Sequence, residues 1–228
     1  MLYGLVILSL LISLAAQIHV KSSFRKYSQV RNERGMTGAE AARQLLLDHG
    51  ITDVGIQQIA GSLTDHYDPR TNIIRLSEDV YNSDSVAAVG VAMHEAGHAL
   101  QYAEGYFPIR VRNAIVKSTN ICSTGSYLLV LIGILVSGRY GNALGYNLIT
   151  LGIVFFLAVL FFQLVTLPVE FNASGRAVRS LRETGILNAE EQAGVRKVLT
   201  AAALTYVAAV AVSLIHLLRL LAIRGRRR

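Results

Sequence analysis

Four apolar runs divide this chain, at about Leu2 to Val20, Ile121 to Val136, Leu144 to Val165 and Val198 to Ile223. An α-helix rises about 1.5 Å per residue, so roughly 20 apolar residues cross the roughly 30 Å hydrocarbon core of a bilayer, and each run is near that length. Lipid offers backbone groups no hydrogen-bond partners, which leaves a helix as the form that an isolated run of this kind can take there. The expected fold class is therefore a mainly α, polytopic membrane protein with about four transmembrane helices. Charge agrees with that reading: 52% of the 228 residues are hydrophobic and only 16% charged, sparse for a soluble domain of this length. A secretory signal peptide is the rival reading of the first run. The small residues of Ser13-Leu14-Ala15 favour it, and the lack of any Lys or Arg before the apolar core opposes it.

The first run covers residues 1–20, and residues 21–112 then have a soluble composition with room for a small water-facing α+β domain. Thr37 and Glu40 are spaced as a capping box, opening a helix through GAEAARQLLLDH that stops at Gly50. Leu63 to Tyr67 and Asn72 to Leu76 predict a β-hairpin turned at Asp68-Pro69-Arg70-Thr71. Ser83, Asp84 and Ser85 offer an N-cap for a helix running through His94 and His98 to about Ala103, ending at Gly105. Three further divisions are expected. Residues 113–167 form a transmembrane hairpin turned tightly at Gly138 to Gly141, residues 168–197 a helical segment, and residues 198–228 a last crossing with a basic tail. Pro168, lacking an N–H, is expected to break the third transmembrane helix or to start a new one.

The chemistry lies in His94-Glu95-Ala96-Gly97-His98. Histidines four apart share one face of a helix about one turn from each other, so both imidazoles can reach one Zn²⁺. The glutamate between them is placed to act as general base on water activated by the metal. Two histidines hydrogen-bonded inside a helical core are the alternative. His19, His49, His66 and His216 have no comparable neighbours in the sequence.

A catalytic zinc site takes three protein ligands and keeps a fourth position open. No His or Asp occurs from Ala99 to Asn120, and Glu104, six residues past His98, is rotated off the zinc-facing side of the helix. The strongest distant candidate is Glu170 in TLPVEFNASGRA, because a hairpin of two crossings returns the chain to the side it left. A glutamate favoured at a helix N-terminus by the macrodipole is the other reading.

Taken together, LTDHYDPRTNIIRLSEDVYNSDSVAAVGVAMHEAGHALQYAEGY and LPVEFNASGRA resemble the YugP-like neutral zinc metallopeptidases of bacterial membranes, over essentially the whole chain. The resemblance implies a zincin-like domain, one Zn²⁺ per chain and peptide-bond hydrolysis. More distantly the chain is similar to the HtpX-like membrane proteases, in which H-E-x-x-H is completed by a Glu opening an E-x-x-x-D segment. That glutamate matches Glu170. Ser174 stands where the pattern has the Asp that orients a zinc-binding His, so Asn172 and Ser174 are the candidates for that hydrogen bonding. The implied activity is that of a membrane-bound zinc metalloendopeptidase, with Glu95 passing a proton from water to the leaving amine. His66, Tyr67 and Arg176 are candidate oxyanion stabilisers, and Asn72 to Ser77 is the expected edge for an extended peptide.

Basic residues set the expected orientation. Lys21, Arg25, Lys26, Arg31 and Arg34 follow the first run, and Arg176, Arg179, Arg182, Arg196 and Lys197 share the segment of Glu170. The positive-inside rule then puts the active site on the cytoplasmic side of a cell membrane. The tail Arg224-Gly225-Arg226-Arg227-Arg228 opposes this, so either the last run does not fully span or the larger count overrides the tail. The net charge of +7 is thereby assigned to topology and lipid head groups. No compositional signature of a nucleic-acid module accompanies it. A lone cysteine, Cys122, cannot form an intrachain disulfide. The expected partners are the bilayer and a protein or peptide substrate. Two rival functions stand beside peptidase activity. One is a catalytically silent, zinc-containing membrane scaffold, which the presence of Glu95 argues against. The other is an intramembrane protease, which the short, small-residue approach Val86 to Met93 argues against.

Overall fold

The computed structural model describes residues 2–138 and 142–225. In chain order these form α1 (Leu2–Tyr27), α2 (Gly38–Asp48), β1 (Gly55–Ile59), β2 (His66–Asp68), β3 (Ile73–Ser77), α3 (Glu78–Tyr81), α4 (Val86–Ala103), α5 (Phe107–Ser137), α6 (Ala143–Thr184) and α7 (Ala189–Gly225). Among the described residues four helices, α1, α5, α6 and α7, are long and apolar enough to cross a membrane. The tight connection expected at Gly138 to Gly141 falls largely outside the described residues, as does the tail beyond residue 225.

The chain divides into two compact units. One consists of Gln17–Arg110 and Pro168–Thr205, the other of the remaining segments. In the first, α2 starts at the expected capping box. Glu40 N–H donates to Thr37 Oγ1 at 3.3 Å and Thr37 N–H to Glu40 Oε2 at 2.8 Å. Its apolar stripe of Ala41, Ala42, Leu45 and Leu46 is fully buried, in one core with Ile74 and Leu76 of β3 and with Ala92, Met93 and Ala96 of α4.

The hairpin is present, but shorter and one strand short of the whole sheet. Leu63, expected in a strand, has a positive φ of 56°, and β2 begins only at His66. β2 pairs antiparallel with β3, and β1 pairs parallel with the other side of β3. The order β1-β3-β2 makes β3 the central strand, so the expectation of a peptide-binding edge at Asn72 to Ser77 is corrected: both hydrogen-bonding sides of β3 are taken. β1 escapes sequence reading because Gly55-Ile-Gln-Gln-Ile59 lacks period-two alternation.

The second correction concerns Pro168, which lies inside α6 and neither breaks it nor starts a new helix. A proline in a helix interior forfeits one hydrogen bond and costs about 3 kcal/mol. Here Val169, Ala173, Ala177 and Leu181, recurring at helical spacing just beyond it, are all buried, and the last two join the core around α4. Packing of that stripe outweighs the lost bond.

In the other unit α5 and α6 pack through small residues, as apolar helices do where no hydrophobic force separates helix from lipid. Ser126 Oγ donates to Gly152 O at 2.7 Å, and a Cβ at Gly152 would meet Val130 at 2.7 Å. Leu220 of α7 joins Val130 and Ile149 in a small buried cluster. Near its end, Arg224 Nε donates to Thr150 Oγ1 at 3.0 Å and its guanidinium lies 4.7 Å from the ring centre of Tyr146. The last apolar run thus packs along the start of α6 to its end.

Candidate metal centre

Helix α4 starts at Ser85, whose Oγ accepts from Ala88 N–H at 3.1 Å, and closes at Gly105, whose φ of +67° suits a residue without Cβ. Small residues let it run against a neighbour. A Cβ at Gly97 would stand 2.7 Å from the carbonyl oxygen of Ala173, so the backbones of α4 and α6 touch there. That contact brings Glu170, one turn before Ala173, opposite the two histidines.

His94 Nε2 lies 3.3 Å and His98 Nε2 3.6 Å from Glu170 Oε2. Ligand atoms from His94, His98 and Glu170 all fall within 4.8 Å of one another. His98, Glu95 and Glu170 are buried and His94 is half-buried. Two imidazole nitrogens and a carboxylate are a donor set that suits zinc.

The Nδ1 atoms point the other way and are held. His94 Nδ1 is 3.1 Å from Ser174 Oγ, and His98 Nδ1 is 2.9 Å from Gln101 Oε1. For His98 the tautomer follows from a chain of one-way donors. Arg176 can only donate, and its Nε gives to Asn172 Oδ1 at 2.7 Å. The Gln101 atom facing that oxygen at 2.9 Å must be the amide nitrogen, which also donates to Val169 O at 2.8 Å. Gln101 therefore turns its oxygen to His98, Nδ1 carries the proton, and Nε2 keeps its lone pair toward Glu170. Arg176 is itself fixed by an ion pair to Glu104 at 2.7 Å. Asn172 and Ser174, singled out in the sequence, thus reach the histidines in two ways: Ser174 directly, Asn172 through Gln101.

Gln101 is the residue that sequence reading missed. It was visible as an amide three positions after His98, on the same side of the helix, in a stretch otherwise buried and apolar.

Glu95 faces the sheet. Its Oε2 accepts from the backbone N–H of Tyr67 at 3.0 Å, so the outer edge of β2 lies against the carboxylate. Burial pushes the Glu95 carboxyl above the ordinary carboxylate range; the charges of Glu170 and Asp65 act in the same direction, while His94 and the Tyr67 N–H oppose it.

Each of the three residues expected to stabilise an oxyanion has contacts of its own. Tyr67 donates its hydroxyl to Asn72 Oδ1 at 2.7 Å and sets its ring edge-on to Tyr102, and burial pushes its phenol up to about 12. His66 Nδ1 is 2.8 Å from Thr64 O. Arg176 is engaged by Glu104 and Asn172, as described.

Comparison with known proteins places this geometry in context. The sequence profile of the family described as "Putative neutral zinc metallopeptidase" matches residues 2–225. The protein described as "Putative membrane protease YugP", from Bacillus subtilis (strain 168), is 49% identical over 215 residues, covering 94% of this chain and 92% of that protein. No solved structure matches the chain.

Proposed function

The chain belongs to the neutral zinc metallopeptidase family, and on that premise we propose that it is a membrane-bound zinc metalloendopeptidase with His94, His98 and Glu170 as ligands and Glu95 as general base. The observation that carries the reading is the convergence of three ligand atoms from α4 and α6 within 4.8 Å, beside a buried glutamate. One Zn²⁺ held there supplies Lewis acidity, polarising a peptide carbonyl and acidifying water. The chain's own residues do the rest. His94 and His98 present Nε2 because Ser174 and Gln101 occupy their Nδ1 atoms. Glu95, made more basic by burial, takes a proton from the attacking water and gives it to the amine nitrogen as the C–N bond breaks. A peptide substrate lies beside the outer edge of β2, whose Tyr67 N–H orients the Glu95 carboxylate. The basic residues after the first apolar run support a cytoplasmic position for this site.

Purified full-length protein in detergent tests the reading, with bound metal measured beside cleavage of casein. Glu95→Gln should keep its zinc and lose activity by a factor of about 100 or more, the scale of a general base. Zinc bound with no cleavage by either protein supports the silent scaffold and overturns the peptidase.

A further inference from the structure

Helices α6 and α7 flank a groove of about 390 Å³. Its lining is graded. Phe171 on α6 and Ala203 on α7 lie toward the apolar run of each helix, whereas Arg179 and Arg182 of α6 and Arg196 of α7 lie away from it. Both walls therefore change from apolar to cationic in the same direction, although the two helices run oppositely in sequence. Among the described residues none of these three arginines forms an ion pair, and all three are exposed. Arg196 and Thr200 also line an adjoining groove of the same size between α1 and α7, where Lys26 and Lys197 add positive charge and Ser22 and Ser23 add hydroxyls. Glu33, Glu190 and Glu191 sit near the two lysines in a neighbouring cavity.

The positive-inside rule asks only for a count of basic residues near the spans. It does not require arginines gathered at one end of a groove whose other end is apolar. Guanidinium groups bind phosphate oxygens through paired donors, and an acyl chain needs an apolar wall leading toward the hydrocarbon. We propose that the α6–α7 groove binds the head group of an anionic phospholipid, with Arg179, Arg182 and Arg196 on the phosphate and the acyl chains leaving past Phe171 and Ala203. Ser174 lines the same groove and is 3.1 Å from His94 Nδ1, so the bound lipid lies one side chain from a proposed metal ligand.

The test is native mass spectrometry of the full chain in detergent, titrated with phosphatidylglycerol or with phosphatidylcholine of the same acyl chains. The wild type should retain phosphatidylglycerol preferentially. Arg182→Gln with Arg196→Gln should weaken that binding by roughly thirtyfold, from the contribution of two basic groups near an anionic surface, and leave phosphatidylcholine unchanged. Arg182→Lys with Arg196→Lys should restore most of it, and a thermal melt reports whether each variant is folded. Lys21→Gln with Arg25→Gln removes the same charge beside the first span but outside the groove, and should have little effect. Equal loss in that control, or equal retention of phosphatidylcholine by the wild type, overturns the site. So does complete displacement of phosphatidylglycerol by millimolar inorganic phosphate, which would assign the arginines to a soluble anion.

Discussion

Arg176 contributes no atom to the histidine–glutamate cluster, but with the Val169 carbonyl, which only accepts, it is one of two groups that fix the Gln101 amide against His98. Its guanidinium forces Asn172 to present oxygen, Asn172 forces Gln101 to present nitrogen, and Gln101 is left with only an acceptor for His98 Nδ1. Replacing Gln101 by Leu removes the acceptor at His98 Nδ1, and neither Arg176 nor the Val169 carbonyl can then set the tautomer. Zinc affinity should fall about 10- to 100-fold, the range seen when a partner of a metal-binding histidine is lost, as measured by competition with a chromophoric chelator. Affinity unchanged in Gln101→Leu would show that the tautomer is set without the relay. At this scale the sequence was informative where spacing along one helix was sufficient. His94, Glu95 and His98 sit on one turn, and Glu170 could be placed by counting crossings. The relay was not legible, because Gln101 meets Val169 and Asn172 only after α4 and α6 pack, and no local pattern encodes that meeting. Arg176, expected as an oxyanion partner, touches Asn172 and Glu104.

Elements of the site share one helix: α6 carries Glu170, Asn172, Ser174 and Arg176 within two turns, just beyond Pro168, through which it continues. Sequence reading gave the proline too much weight, since it counted a missing hydrogen bond and could not count the buried stripe Val169, Ala173, Ala177 and Leu181. Pro168→Ala should therefore preserve zinc stoichiometry while raising the midpoint of thermal unfolding, with a gain of up to about 3 kcal/mol from the recovered bond. Loss of zinc in that variant would mean that the proline shapes the ligand turn. The short sheet makes its own contribution. Asp65, just before β2, accepts from Ser77 N–H at 2.7 Å and Oγ at 3.1 Å, and its charge helps raise the Glu95 carboxyl. A base with a raised pKa is protonated, and idle, at pH values where an ordinary glutamate would be ionised. Activity should fall as pH drops through that raised value, and Asp65→Asn should move the acid limb of the kcat/KM profile to lower pH. A limb that stays in place or moves up contradicts the electrostatic account of Glu95.

At the scale of the whole chain, a membrane protein of four long helices devotes two of them, α6 and α7, to more than crossing: each continues past its apolar run into the unit that holds the site. The four apolar runs were plain in the sequence because lipid imposes a length and a composition on each. The third strand was not, because β1 is too short and too polar to show a period. The central claim is that one zinc ion joins α4 to α6 through two histidines and one carboxylate. X-ray absorption at the zinc edge of the purified, zinc-loaded protein tests it most directly. The account predicts a first shell of nitrogen and oxygen at about 2.0–2.2 Å with the multiple-scattering signature of two imidazoles, and loss of that spectrum in Glu170→Ala. A shell containing sulfur, or a two-imidazole spectrum identical in Glu170→Ala, would contradict it.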